Sequence, residues 1–156
     1  MTRRLFVLNG PNLNMLGQRE PELYGTGTLD DVRMLCGRVA EEVGFDLFFA
    51  QSNAEHEIVD WVHDAFRENA TIVINPAGFS FRSVPLLDAL HMLHAPIVEV
   101  HITNIHARDA LHQHSLISRV ARVVIAGAGA YGYELAVRAA DRLTAEPGVD
   151  PPLSRG

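Results

Sequence analysis

Three short apolar runs in this chain end in polar residues, and that pattern narrows the possible folds more than any other feature. Leu5 to Leu8 runs into Asn9-Gly10-Pro11-Asn12, Ile72 to Ile74 runs into Asn75-Pro76, and Ile97 to Val100, interrupted by Glu99, runs into His101-Ile102-Thr103-Asn104. Strands buried on both faces of a parallel sheet read as continuous apolar runs, and open α/β sheets bind ligands beyond the carboxyl ends of their strands. The three strand ends are therefore expected to converge on one site lined by amides and a Glu/His pair. The loop 17–25, which bears Arg19 and Tyr24, is placed to close over it. Such groups point to acid/base chemistry.

Strand-like and helix-like segments alternate along the chain. Strands are expected at 4–9, 46–51, 71–75, 96–102 and 122–126, with helices over 28–43, 54–66, 83–93 and 131–143. The first helix carries Leu29, Val32, Leu35, Cys36 and Val39 on one face and stops at Gly44. The second has Ser52 or Asn53 to cap it, and the third has Pro85 in its first turn. This alternation predicts an α/β fold, a flavodoxin-like doubly wound five-stranded parallel sheet, in a single domain over 1–145. The polar segment 106–119 is expected to carry only a short helix. Pro147, Gly148, Pro151, Pro152 and Gly156 make 146–156 an expected disordered tail.

Composition removes several classes of function. All thirteen basic residues are arginine, so neither a lysine imine nor a phosphate-loop lysine is available. The net charge of −6, with no basic run, argues against nucleic acid as partner. No apolar run approaches the roughly 20 residues of a membrane span, and the single Cys36 sits at core spacing, which together fit a cytoplasmic protein. Gly127-Ala-Gly129-Ala-Tyr-Gly132 has the form of a dinucleotide fingerprint, but it lies in the last βα unit with no acidic strand end after it. It reads better as a close-packed turn. Eight histidines show no metal-ligand spacing, and no serine lies in a nucleophile elbow, so neither metal nor cofactor is expected.

Glu99 and His101, two apart on a strand, share a face, and the carboxylate can orient or charge the imidazole. Asn12 follows a Gly-Pro turn, and Pro21 and Gly25 flank Tyr24 as hinge points. Taken together, Leu8-Asn-Gly-Pro-Asn12-Leu-Asn14, Gly17-x-Arg19-Glu-Pro21-x-x-Tyr24-Gly25, Asn75-Pro76-x-Gly78 and Glu99-Val-His101-Ile-Thr-Asn-Ile-His-Ala-Arg108 resemble the type II 3-dehydroquinate dehydratases over about residues 4–143. The resemblance implies a flavodoxin-like fold, a homo-dodecamer built as a tetramer of trimers, and a metal-free anti elimination of water through an enolate. It implies Tyr24 as base, helped by Arg19 and Arg108, Asn12 at the enolate oxygen, and His101, oriented by Glu99, as acid. Asn75 and the backbone of Ile102 and Thr103 would hold the substrate carboxylate, and Asp88 would reach a neighbouring subunit's site.

Two positions depart from the family pattern. Phe81 stands where a histidine binds a ring hydroxyl, and His112 stands where an arginine is usual, with Arg82 beside them as a substitute contact. The leading expectation is dehydration of 3-dehydroquinate to 3-dehydroshikimate, in a biosynthetic or quinate-degrading pathway. The alternatives are the same elimination on a modified ring such as aminodehydroquinate, and a non-catalytic paralogue that binds a cyclohexane carboxylate.

Overall fold

A computed structural model describes residues 2–145; the segment 146–156, for which disorder is expected, lies outside the described residues. The elements are β1 (Arg3–Asn9), α1 (Pro21–Tyr24), α2 (Leu29–Val43), β2 (Phe45–Gln51), α3 (Glu55–Glu68), β3 (Thr71–Asn75), α4 (Val84–His91), β4 (Ile97–His101), β5 (Val123–Ala126) and α5 (Tyr131–Thr144). All neighbouring strands pair in parallel, in the order β2-β1-β3-β4-β5. Among the described residues no helix is long and apolar enough to cross a membrane.

The strand period of two divides β1 between two cores. Leu5 and Val7 pack with Val32, Cys36 and Val39 of α2 and with Ala136, Val137 and Ala140 of α5. Phe6 and Leu8 pack on the other face with Ile58 and Val62 of α3 and Leu86 and Leu90 of α4. A strand covered on both sides has no solvent face, which is why Leu5 to Leu8 of β1 and Ile72 to Ile74 of β3 are unbroken apolar runs. Each such side chain contributes about 1.5–3 kcal/mol when fully buried. Cys36 is part of this packing, and burial pushes its thiol up to about 12, leaving it a structural residue.

Local signals place most helix ends. Thr28 and Asp31 form a reciprocal capping box on α2, and Gly44 ends that helix at φ 87°. Ser83 caps α4 by accepting from the Leu86 N–H. Helix α3 differs from expectation: Ala54 is its N-cap, while Ser52 Oγ accepts from the Ala54 N–H and donates to Glu57, and Asn53 is drawn into another contact described below. In place of one short helix, the segment after β4 forms three single 3-10 turns, Ile105–Ala107, Ala110–His112 and Ile117–Arg119. Asn104 and Asp109 cap the first two. The glycine-rich turn before α5 is a packing device, since a Cβ on Gly132 would lie 3.3 Å from Val100.

Candidate active site

Strands β1 and β3 are neighbours, but the chain leaves β1 for the α2/α5 face and β3 for the α4 face, which opens a crevice at their carboxyl ends. The crevice floor is tightly specified. The Gly10 N–H donates to the Asn75 carbonyl at 2.8 Å, and a Cβ on Gly10 would stand 2.2 Å from the Pro76 carbonyl oxygen, so only glycine fits. Asn12 then adopts φ 68°, a left-handed conformation that asparagine tolerates, and its N–H donates to Asn53 Oδ1 at 2.9 Å. Gln51 donates to both the Gly10 carbonyl and Asn53 Oδ1, tying this turn to the end of β2.

Above the floor lies a cavity of about 180 Å³, small beside the roughly 300–1,000 Å³ of sites for drug-sized ligands. Asn12, Arg19, Tyr24, Asn75, Phe81, His101, Ile102, Thr103, Arg108 and His112 all line it, so residues up to 100 positions apart in the chain meet there. Glu99 stands behind His101, fully buried. Arg82 instead lines a separate hollow with Phe81 and His114, and Asp88 is exposed on α4 away from the cavity. A larger hollow of about 500 Å³ shares Tyr24, Ile102 and Thr103, and among the described residues its titratable lining is Tyr24 and Asp31.

The cavity's charge is one-sided. Arg19, Arg108, His101 and His112 line it, and no Asp or Glu among the described residues does. Arg19 holds its guanidinium carbon 4.9 Å from the centre of the Tyr24 ring, within cation–π range, and lies 3.6 Å from Glu20. The N–H groups of Ile102 and Thr103 are not spent on any backbone carbonyl of the described residues. The lining therefore suits a small anion that reacts with a phenol and an imidazole.

His101 turns Nε2 to Glu99 Oε2, and its Nδ1 has no partner among the described residues. Nδ1 is thus the nitrogen left for a ligand. Burial works to raise the Glu99 carboxyl, but the hydrogen bond and charge of His101 and the hydroxyls of Ser115 and Ser118 outweigh it, and the net direction is down. Ser118 Oγ donates to Glu99 Oε1 at 2.6 Å. At the other side, Phe81 and His112 meet edge to face with ring centres 5.3 Å apart, and His112 Nδ1 is held 2.9 Å from both oxygens of Asp109. Hydrogen bonding to His112 holds the Asp109 carboxyl below its usual range.

A folded carboxyl shifted downward contributes stability that is complete above its unfolded value, near 4.5, and is lost as pH falls through the lower folded value. Wild type is therefore expected to be more stable than Glu99→Gln near neutrality. That margin should shrink as the solution is taken from about pH 6 to about pH 3, read as melting temperature by circular dichroism. A margin that grows on acidification would contradict the assignment.

Sequence reasoning missed three contributors to the site. Ser115 and Ser118 reach Glu99 from the irregular segment after β4, where no periodicity marks them. Tyr133 is fully buried on α5 and bonds to Asn75 and Asn9. Its signal was available: on the buried stripe Tyr133, Ala136, Val137, Ala140, a tyrosine hydroxyl must find a partner.

The chain matches the family model described as dehydroquinase class II over residues 3–141. It is 54% identical over 132 residues to 3-dehydroquinate dehydratase 2 of Agrobacterium fabrum, covering 85% of this chain and 90% of that protein. With the 3-dehydroquinate dehydratase of Cereibacter sphaeroides it shares 51% over 138 residues, 88% of this chain and 94% of that one. The crystal structure of the type II dehydroquinase of Propionibacterium acnes superposes with a TM-score of 0.87 at 42% identity, covering 91% of this chain and 98% of the other. With fold and sequence in agreement over nearly the whole described chain, the protein belongs to the class II dehydroquinases, a family of hydro-lyases.

Proposed function

We propose that this protein dehydrates 3-dehydroquinate to 3-dehydroshikimate by an anti elimination through an enolate. The observation that carries the reading is the cavity itself, in which a phenol backed by a guanidinium and an imidazole backed by a buried carboxylate face one small space with no acidic lining residue among those described. Tyr24, as phenolate beside the Arg19 and Arg108 charges, takes a proton from the carbon next to the ketone. Asn12 holds a water against the enolate oxygen, where negative charge develops. The imidazolium of His101 passes a proton from Nδ1 to the departing hydroxyl, which leaves as water while the enolate collapses to the conjugated enone. Glu99 balances that imidazolium in a buried setting. The carboxylate rests on Asn75 and on the N–H groups of Ile102 and Thr103. No cofactor enters the scheme, and the absence of lysine agrees with a route that forms no imine.

The test is direct: purified protein with 3-dehydroquinate is expected to generate the absorbance of the enone product, and no signal at micromolar enzyme would sink the reading. We further infer a dodecamer arranged as four trimers, in which exposed Asp88 completes a neighbour's site. Light scattering is expected to give about twelve times the chain mass of 17.2 kDa. A monomeric mass would rule the assembly out.

A second reading, elimination on an amino-substituted ring, draws on Phe81 and His112, which both line the cavity. Phe81 offers no hydrogen bond to a ring hydroxyl, and a histidine in place of an arginine repels an ammonium group less. Lost polar contacts of this kind cost about 1–3 kcal/mol each. kcat/KM for 3-dehydroquinate is therefore expected to lie at least about tenfold below that of relatives carrying His and Arg there, corresponding to roughly 1.4 kcal/mol. Phe81→His with His112→Arg should recover much of it. Ordinary rates in the wild type and no gain in the double variant would show the two departures to be neutral.

A further inference from the structure

A buried line of hydrogen bonds runs beneath the cavity from one backbone group to another. The Ala77 N–H donates to Asn75 Oδ1 at 3.2 Å, Asn75 Nδ2 donates to the Tyr133 hydroxyl at 2.9 Å, the hydroxyl donates to Asn9 Oδ1 at 2.7 Å, and Asn9 Nδ2 donates to the Ala50 carbonyl at 3.0 Å. Asn9 and Tyr133 are fully buried and Asn75 is 3% exposed. Asn75 is the member that lines the cavity.

The two ends have opposite and unalterable polarity. A backbone carbonyl can only accept, so Asn9 must turn its NH₂ to Ala50 and its oxygen to Tyr133. The phenol must then donate to Asn9 and offer a lone pair to Asn75, which in turn must present its NH₂ to the phenol. From the other end, the Ala77 N–H can only donate, so Asn75 must turn its oxygen there. Both constraints agree on a single amide orientation. Asn75 has two N–H bonds, one spent on Tyr133, and its oxygen is turned to the Ala77 N–H, so the second N–H is the group it can offer on the side away from Ala77. Burial pushes the Tyr133 phenol up from its ordinary value, so it stays protonated and keeps donating through the working pH range.

We propose that Tyr133 and Asn9 are positioning residues that set the polarity of Asn75, so that the cavity meets an N–H rather than a carbonyl oxygen and accepts a carboxylate. This rests on the reading that Asn75 binds the substrate carboxylate. Without the hydroxyl, Asn75 loses the acceptor that holds its NH₂. Without the Asn9 oxygen, the phenol is free to donate toward Asn75 and favours the flipped amide, which would turn an oxygen to an anion. Because the carboxylate takes no part in bond making, the loss falls on uniform binding.

The experiment measures KM, kcat and melting temperature for 3-dehydroquinate in Tyr133→Phe, Asn9→Ala and Asn75→Ala. KM is expected to rise on the order of tenfold in each, with kcat within about twofold of wild type in Tyr133→Phe and Asn9→Ala. Folded Tyr133→Phe and Asn9→Ala proteins with lowered melting temperatures but unchanged KM, beside a raised KM in Asn75→Ala, would show the line to be structural only and overturn the proposal. An unchanged KM in Asn75→Ala would instead remove the carboxylate reading, and the proposal with it. Nuclear magnetic resonance of the unmodified ¹⁵N-labelled protein gives a measurement that needs no variant. Titration with the non-reacting carboxylate quinate is expected to shift one of the two Asn75 side-chain amide protons strongly and the other little, whereas equal shifts would refute a single fixed orientation and absent shifts would remove the carboxylate reading, and the proposal with it.

Discussion

Tyr24→Phe is expected to lose about 10²- to 10⁴-fold in kcat, the usual consequence of removing a general base. The substitution is conservative where it matters: the ring that Arg19 covers at 4.9 Å remains, and the cavity wall keeps its shape. Only the hydroxyl that would carry the abstracted proton disappears. Affinity for quinate should consequently stay near the wild-type value, while exchange of the substrate's abstracted proton with solvent deuterium should vanish along with dehydration. Near-normal turnover would remove Tyr24 from the reaction. A large loss of quinate affinity with kcat intact would make it a binding residue.

His101→Ala is expected to slow dehydration by a comparable 10²- to 10⁴-fold. In contrast to the tyrosine variant, exchange of the abstracted proton should survive, because Tyr24 can still form the enolate and hand the proton back. The ratio of exchange to dehydration is the better readout. It does not depend on how much protein is folded, and this variant strips a buried carboxylate of its partner, a loss that ordinarily costs about 3–5 kcal/mol. Ser118 and Ser115 remain to hold Glu99 in part. Equal loss of exchange and dehydration would mean that His101 acts before the enolate forms rather than after it.

The five strands were legible to within one or two residues, because strands covered by helices are mainly apolar and the central ones end at polar residues that cannot be buried without a partner. Helix α2 was equally clear, since its capping box and Gly44 are contacts between near neighbours. The cap of α3 was not. Ser52 and Asn53 both had the chemistry, and the choice fell to Asn12, 41 residues earlier, which claimed the Asn53 oxygen. The turn of helix at Pro21–Tyr24 and the three 3-10 turns after β4 also escaped. Segments that short carry too little periodicity to be distinguished from loop.

The same division runs through the site. Asn12, Asn75 and His101 were visible as residue types at strand ends and Tyr24 in the loop after the first of them, and the alternating pattern alone was enough to bring those ends to one side of a parallel sheet, because parallel strands joined by crossover helices all point their carboxyl ends the same way. Which nitrogen of His101 faces the cavity, that Arg82 turns to a different hollow, and that Tyr133 lies under Asn75 were decided in three dimensions. Apolar periodicity, turn residues and caps act between residues a few positions apart, so the chain announces them. The bond from Tyr133 to Asn9 spans 124 positions, and nothing local to either residue specifies it; it exists because the packing of α5 on β3 and β4 buries a hydroxyl beside the amides of Asn9 and Asn75, which satisfy it.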